Sequence, residues 1–186
     1  MLITPPMKFG EILGVNTELA AEDVQGELYL VGGAVMCLAF DARHATRDVD
    51  GYFLPTTAVR HAAGRVASLA GVPGDWLNDA VKGYLSPQGD FDPYLDLDHL
   101  RVFVARPAYL LAMKCAAMRL GEEFHDFDDV RYLLRSLNIT SVVEALEVAT
   151  RYFDAKRLPP KARFAAARKV SLSPVRNIHF AAGLSL

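Results

Sequence analysis

Cysteine is scarce in this chain, and its scarcity excludes several chemistries at once. Cys37 and Cys115 are the only two in 186 residues, and both fall within apolar, helical-looking segments. With no second thiol close in sequence, neither a cysteine metal site nor a disulfide is expected, and both read as small core residues. Long hydrophobic runs are missing too, since no stretch approaches the roughly 18–20 apolar residues of a membrane span. The opening MLITPPMKFGEIL lacks the charged and apolar regions of a secretory leader, so a cytoplasmic protein is the expectation. There is no GxGxxG and no GxxxxGK followed by Ser or Thr, which leaves neither a dinucleotide fold nor a P-loop supported. None of the five histidines accompanies a Ser or Cys in a nucleophile motif.

Acid is absent from Ala155 to the C-terminus, where Lys156, Arg157, Lys161, Arg163, Arg168, Lys169 and Arg176 stand. Between Asp75 and Asp98 the balance reverses, with Asp75, Asp79, Asp90, Asp92, Asp96 and Asp98 against Lys82 alone. A basic tail beside an acidic middle fits either a polyanion-binding surface or a solvated helix face docked on the acids. A composition that is 52% hydrophobic and 23% charged belongs to a globular protein able to bury a real core.

Pro5-Pro6 argue for an extended start over residues 1–16, with Asn16 or Thr17 capping a short helix through Val24. Leu28–Val31 reads as a buried strand, Gly33–Phe40 as a helix of small residues, and Asp48–Leu54 as a second strand stopped by Pro55. Thr56 or Thr57 caps a helix to about Ala70. Trp76–Tyr84 suggests a short helix, Ser86–Pro93 a loop of turn formers, and Leu100–Ala105 a β-branched, aromatic strand. Three helices follow, Pro107–Leu120, Asp126–Leu137 and Ser141–Phe153, then a basic one over Lys161–Val170. Strands and helices mix in the first 105 residues, and helices alone follow. The expected fold is therefore α/β in residues 1–105 and helical in 106–186.

The chemistry concentrates in Glu27–Phe53, ELYLVGGAVMCLAFDARHATRDVDGYF. Gly32-Gly33 ends a buried strand, and glycine lets a backbone approach a ligand closely. Asp48 and Asp50 flank Val49, so strand geometry projects both carboxylates from one face, about 6–7 Å apart. Two like charges placed together are costly without a cation, and a Mg²⁺ ion bridging carboxylates and nucleotide phosphates removes that cost. The bland alternative is an edge strand with both acids in water.

Gly32-Gly33 followed by Arg43…Thr46-Arg47-Asp48-Val49-Asp50 resembles the signature of polymerase-beta-type nucleotidyltransferases, in which a glycine pair precedes a metal-binding Asp-x-Asp. The run most resembles the bacterial AbiEii-like type IV toxin nucleotidyltransferases. Ala112-Met113-Lys114-Cys115-Ala116-Ala117-Met118-Arg119, then Asp126-Phe127-Asp128-Asp129-Val130, is similar to that group's helical Lys…Arg…Asp-x-x-Asp element. The resemblance spans roughly residues 27–137. It implies a minimal nucleotidyltransferase core, a small mixed sheet flanked by helices, with the helical part as the other wall of a cleft. It further implies transfer of a nucleoside monophosphate from an NTP to a hydroxyl acceptor. Asp48 and Asp50 would hold Mg²⁺, or Mn²⁺ in its place, while Gly32, Gly33, Arg47 and Lys114 would position phosphates and Asp129 would serve the reaction. The acceptor it implies is RNA such as tRNA, with a cognate antitoxin protein as a partner. An antibiotic- or protein-modifying enzyme and an inactive binding module are the competing readings.

Read independently, Lys114 shares a stripe with Leu110, Leu111, Ala117 and Met118, so it either meets an anionic partner on that inward face or snorkels its ammonium to solvent. Asp129 lines up with Val130, Leu133 and Leu137 and is an acid able to hold Lys114 or Arg119. Asp126 reads as a helix cap. Trp76 reads as a core or lid residue, and Asn78 and Asp79 either reach the cleft or serve as capping or exposed residues. A third carboxylate is the conspicuous gap, because Leu100–Ala105 contains no acid. Asp79, Asp96 and Asp98 are the substitutes in range.

Overall fold

The computed structural model describes residues 5–42, 46, 48–117 and 126–158, with residues 5–8, 126, 127 and 157 described by backbone alone. Over the described residues the protein is mixed α/β, with six helices and a five-stranded sheet. The described residues divide into two units. One holds 5–83 and 91–105, and the other holds 84–90 and 106–158. The boundary between them falls after residue 105, and the short stretch 84–90 groups with the helical unit.

In the α/β unit, α1 (Pro5–Ala21) precedes β1 (Gly26–Leu30), and α2 (Gly32–Leu38) leads to β2 (Val49–Leu54) and α3 (Thr56–Ala70). Then come β3 (Leu77–Asn78), a 3₁₀ turn at Ala80–Tyr84, β4 (Phe91–Asp96) and β5 (Leu100–Ala105). The strand order is β3-β2-β1-β5-β4. β1 runs antiparallel to β2 and parallel to β5, which makes the sheet mixed. Gly26, Leu28 and Leu30 alternate onto the buried face. A Cβ added at Gly26 would lie 2.7 Å from Leu19 of α1 and 3.3 Å from Val59 of α3, so those two helices cover that face.

The other face carries aromatic rings. Tyr29 stacks on Tyr52 with centroids 4.4 Å apart and on Phe103 at 4.7 Å, while Phe91 meets Tyr29 edge-on. Cross-strand aromatic pairs of this kind hold register in a sheet. The Tyr29 hydroxyl donates to Glu27, and burial together with that carboxylate pushes the phenol up to about 12. The unfolded chain therefore releases this proton first, near the ordinary tyrosine value of about 10. The stability it represents is full below about pH 10 and lost as pH rises toward the folded value. Urea unfolding at pH near 9 and near 11 is expected to show the loss, and Tyr29→Phe is expected to reduce it. Cys115, Tyr52, Tyr94 and Tyr152, all raised chiefly by burial, retain the remainder.

Three sequence expectations are corrected. Residues 5–16 are helical, not extended, because proline is tolerated in a first helical turn, where backbone N–H groups have no partner to lose. Ile12, Val15 and Leu19, all fully buried at helical spacing, anchor this helix. Asn16 therefore sits inside the helix and accepts from the His99 backbone N–H, while Thr17 donates back to Leu13. Trp76–Tyr84 is a short strand and a 3₁₀ turn, since the Val49 N–H donates to the Trp76 carbonyl and pulls the segment onto the sheet. Residues 91–93 open β4 instead of closing a loop, with exposed Pro93 tolerated on an edge strand beside a bulge.

The helical unit contains α4 (Pro107–Ala117), α5 (Asp126–Ser136) and α6 (Val142–Thr150), with α4 packed against both others. Ser141 caps α6 by accepting from the Glu144 N–H, and Glu144 accepts from the Thr140 N–H, close to a capping box. Cys37 and Cys115 are both buried, each 3% exposed. Among the described residues no helix is long and apolar enough to cross a membrane. The expected basic helix over 161–170 lies outside the described residues.

Candidate functional site

Gly32 sits where β1 turns into α2, with a φ of +64°, a left-handed conformation that favours glycine. A Cβ there would stand 2.9 Å from Asp50 Oδ2 and 3.4 Å from the Asp50 Cβ. The Asp50 carboxylate thus rests directly on the glycine turn. The backbone fixes this placement, since the Val31 N–H donates to the Asp50 carbonyl at 2.9 Å. Gly33 follows, half-buried in the first turn of α2.

Asp48 immediately precedes β2, and Val49 between the two acids is fully buried. Alternation then puts both acids on the face opposite Val49, and both are half-buried. The Asp48 carbonyl accepts from the buried Thr46 hydroxyl at 3.3 Å, which orients the approach to the strand. The sequence marks Thr46 only as part of a motif; its hydrogen bond depends on the turn geometry.

Two carboxylates suit Mg²⁺, which is commonly held by one or two carboxylates with water and substrate phosphates as the other ligands. They make no complete cage, and among the described residues no group of three His, Cys, Asp or Glu could hold a metal ion. The substitutes for a third acid lie elsewhere. Asp96 is in register with Arg101, which pairs with Glu27, at the end of the strands away from Asp50. Asp98 lies in the turn beyond it, its carbonyl accepting from Gln25. Asp79 is nearest in sequence to the site, yet Arg60 and Lys82 each hold Oδ2 at 2.7 Å. The Lys82 hydrogen bond keeps the Asp79 carboxyl below its ordinary range.

The residue that register does bring beside Asp50 is Asn78, its parallel partner across β2 and β3. Trp76 is a core residue, 1% exposed, with Nε1 donating to the Ala63 carbonyl at 3.0 Å.

In the helical unit Lys114 Nζ lies 2.8 Å from Asp129 Oδ2, with side-chain exposures of 13% and 2%. Asp129 is thus the anionic partner that the inward lysine requires. Arg47, like Arg119, lies outside the described residues, and the Asp126 side chain is likewise not described.

Gly32→Ala tests the support beneath Asp50. A left-handed alanine costs about 1–2 kcal/mol, and the added methyl group would push the carboxylate aside. Loss of such support typically lowers metal affinity about 10–100-fold. Mn²⁺ titration by calorimetry is expected to show that drop while the chain stays folded. Comparison of the chain with protein-family models, curated proteins and solved structures finds no match in any of the three.

Proposed function

We propose that this protein is a Mg²⁺-dependent nucleotidyltransferase that moves a nucleoside monophosphate from an NTP to a hydroxyl acceptor. The observation that carries the reading is the Asp50 carboxylate seated on the left-handed Gly32, with Asp48 projecting from the same side of the strand. Glycine and acid, separate in sequence, form one small platform. Asp48 and Asp50 would hold the ion, which when bound neutralises phosphate charge. Gly32 leaves room for the carboxylate, and the Val31–Asp50 backbone bond keeps it in place. With the ligands so held, the chain contributes alignment and charge stabilisation, the main requirements of phosphoryl transfer.

The test is incubation with NTPs labelled in the α-phosphate, Mg²⁺, and separately total RNA, total protein and aminoglycoside or other hydroxyl-bearing drugs. Label in RNA supports a toxin-like enzyme, and an antitoxin partner becomes the next question. Label in protein or drug supports a modifying enzyme. No transfer to any acceptor with any of the four NTPs sinks the catalytic reading. The absence of a third acid among the described residues favours one alternative, a nucleotide-binding module that does not transfer. Nucleotide binding without product identifies that case.

A further inference from the structure

We propose that Asn78 is a further binding residue of this site, its Nδ2 donating to a phosphate oxygen of the metal-bound nucleoside triphosphate. The inference rests on the nucleotidyltransferase reading and extends it to a residue that the glycine and aspartate motifs do not include. Asn78 and Asp50 are register partners on parallel neighbouring strands, so their side chains leave the same face of the sheet. Adjacent strands run about 4.8 Å apart, within one ligand's reach of both side chains.

The orientation of the amide is set. Asn78 Oδ1 accepts from the Ala80 N–H at 3.3 Å, at the start of the 3₁₀ turn Ala80–Tyr84. That bond commits the oxygen and leaves the amino group as the available donor, while the side chain is half-buried. A neutral donor beside two carboxylates adds no charge to their mutual repulsion, and a phosphate oxygen is the acceptor a bound nucleotide brings. Asp79, the next residue, is occupied by Arg60 and Lys82 and does not compete for this position.

Two substitutions are informative: Asn78→Asp keeps an oxygen for the Ala80 N–H and exchanges the donor for a negative charge, and Asn78→Ala removes the donor and adds no charge. The sole tryptophan, Trp76, reports on the site, since its carbonyl accepts from the N–H of Val49, between the two acids. Quenching of its fluorescence by Mn²⁺ reads metal binding, and calorimetry reads Mg²⁺–ATP, –GTP, –CTP and –UTP. The expected result for Asn78→Asp is Mn²⁺ affinity equal to or tighter than wild type, with nucleotide affinity at least about tenfold weaker. Asn78→Ala is expected to weaken nucleotide likewise and leave Mn²⁺ within about twofold of wild type. Thermal unfolding followed at Trp76 confirms that each variant is folded. Wild-type nucleotide affinity in folded Asn78→Ala overturns the role of Asn78 and leaves the nucleotidyltransferase reading standing, and weakening in Asn78→Asp alone is charge repulsion and overturns it equally. Weakened Mn²⁺ in folded Asn78→Ala overturns the role as well, making Asn78 a support of the acids. A wild-type protein that binds none of the four nucleotides overturns both.

Discussion

Asp50→Asn is expected to lower nucleotide transfer by at least about 10³-fold, because loss of metal binding removes several kcal/mol of transition-state stabilisation. Asparagine is nearly isosteric with aspartate, so the packing against Gly32 and the Val31–Asp50 backbone bond survive. Circular dichroism should show the variant folded while activity falls, a combination that general misfolding does not produce. Asp48→Asn should behave alike, and the double variant should lose little beyond either single change, since both acids serve one ion. Label incorporation measured beside circular dichroism checks each point. Full activity in either folded variant would remove the substituted aspartate from the chemistry.

Lys114→Met is expected to destabilise the helical unit by about 3–5 kcal/mol, the usual cost of leaving one member of a buried ion pair behind. Asp129 is 2% exposed, so without the ammonium its charge stays buried within packed helices. Lys114→Met with Asp129→Leu should recover most of that loss, since an apolar pair of similar volume avoids the desolvation of both ions. Chemical denaturation of the three variants and wild type forms a double-mutant cycle with an expected coupling of at least about 2 kcal/mol. The double variant also separates two roles for Lys114. Stability restored with transfer retained makes the lysine a structural partner of Asp129. Stability restored with transfer lost assigns the Lys114–Asp129 pair to the reaction, as the family resemblance implies for both residues.

Local chemistry made part of this protein legible. Leu100–Ala105 is a strand over the residues its β-branched and aromatic content marks, and Pro107 opens α4 where its fixed φ suits a first turn. The Ser141–Glu144 spacing delivers a capped α6. Elsewhere local signals pointed the wrong way. Pro5-Pro6 suggested extended chain, although the buried stripe of Ile12, Val15 and Leu19 keeps α1 helical through them. The turn formers before Pro93 hid β4, because proline is harmless only on an edge strand, and an edge is a property of the assembled sheet.

The same division runs through the candidate site. Glycine pair, Asp-x-Asp and inward lysine are visible in the chain because each depends on backbone periodicity within one segment. That Asp50 rests on Gly32, that Thr46 holds the Asp48 carbonyl and that Asn78 stands beside Asp50 depends on strand register and turn geometry. The Gly32–Asp50 and Asn78–Asp50 relations join residues 18 and 28 positions apart, so they exist only once β1, β2 and β3 are paired. The fate of the spare acids was decided there too. Asp79, Asp96 and Asp98 are equal candidates along the chain, but antiparallel pairing carries Asp96 and Asp98 to the far end of the sheet, and two cations occupy Asp79. The amino-acid sequence by itself determined which residues can carry charge, turn or strand; only the tertiary structure decided which of them meet, because meeting is set by pairing between segments.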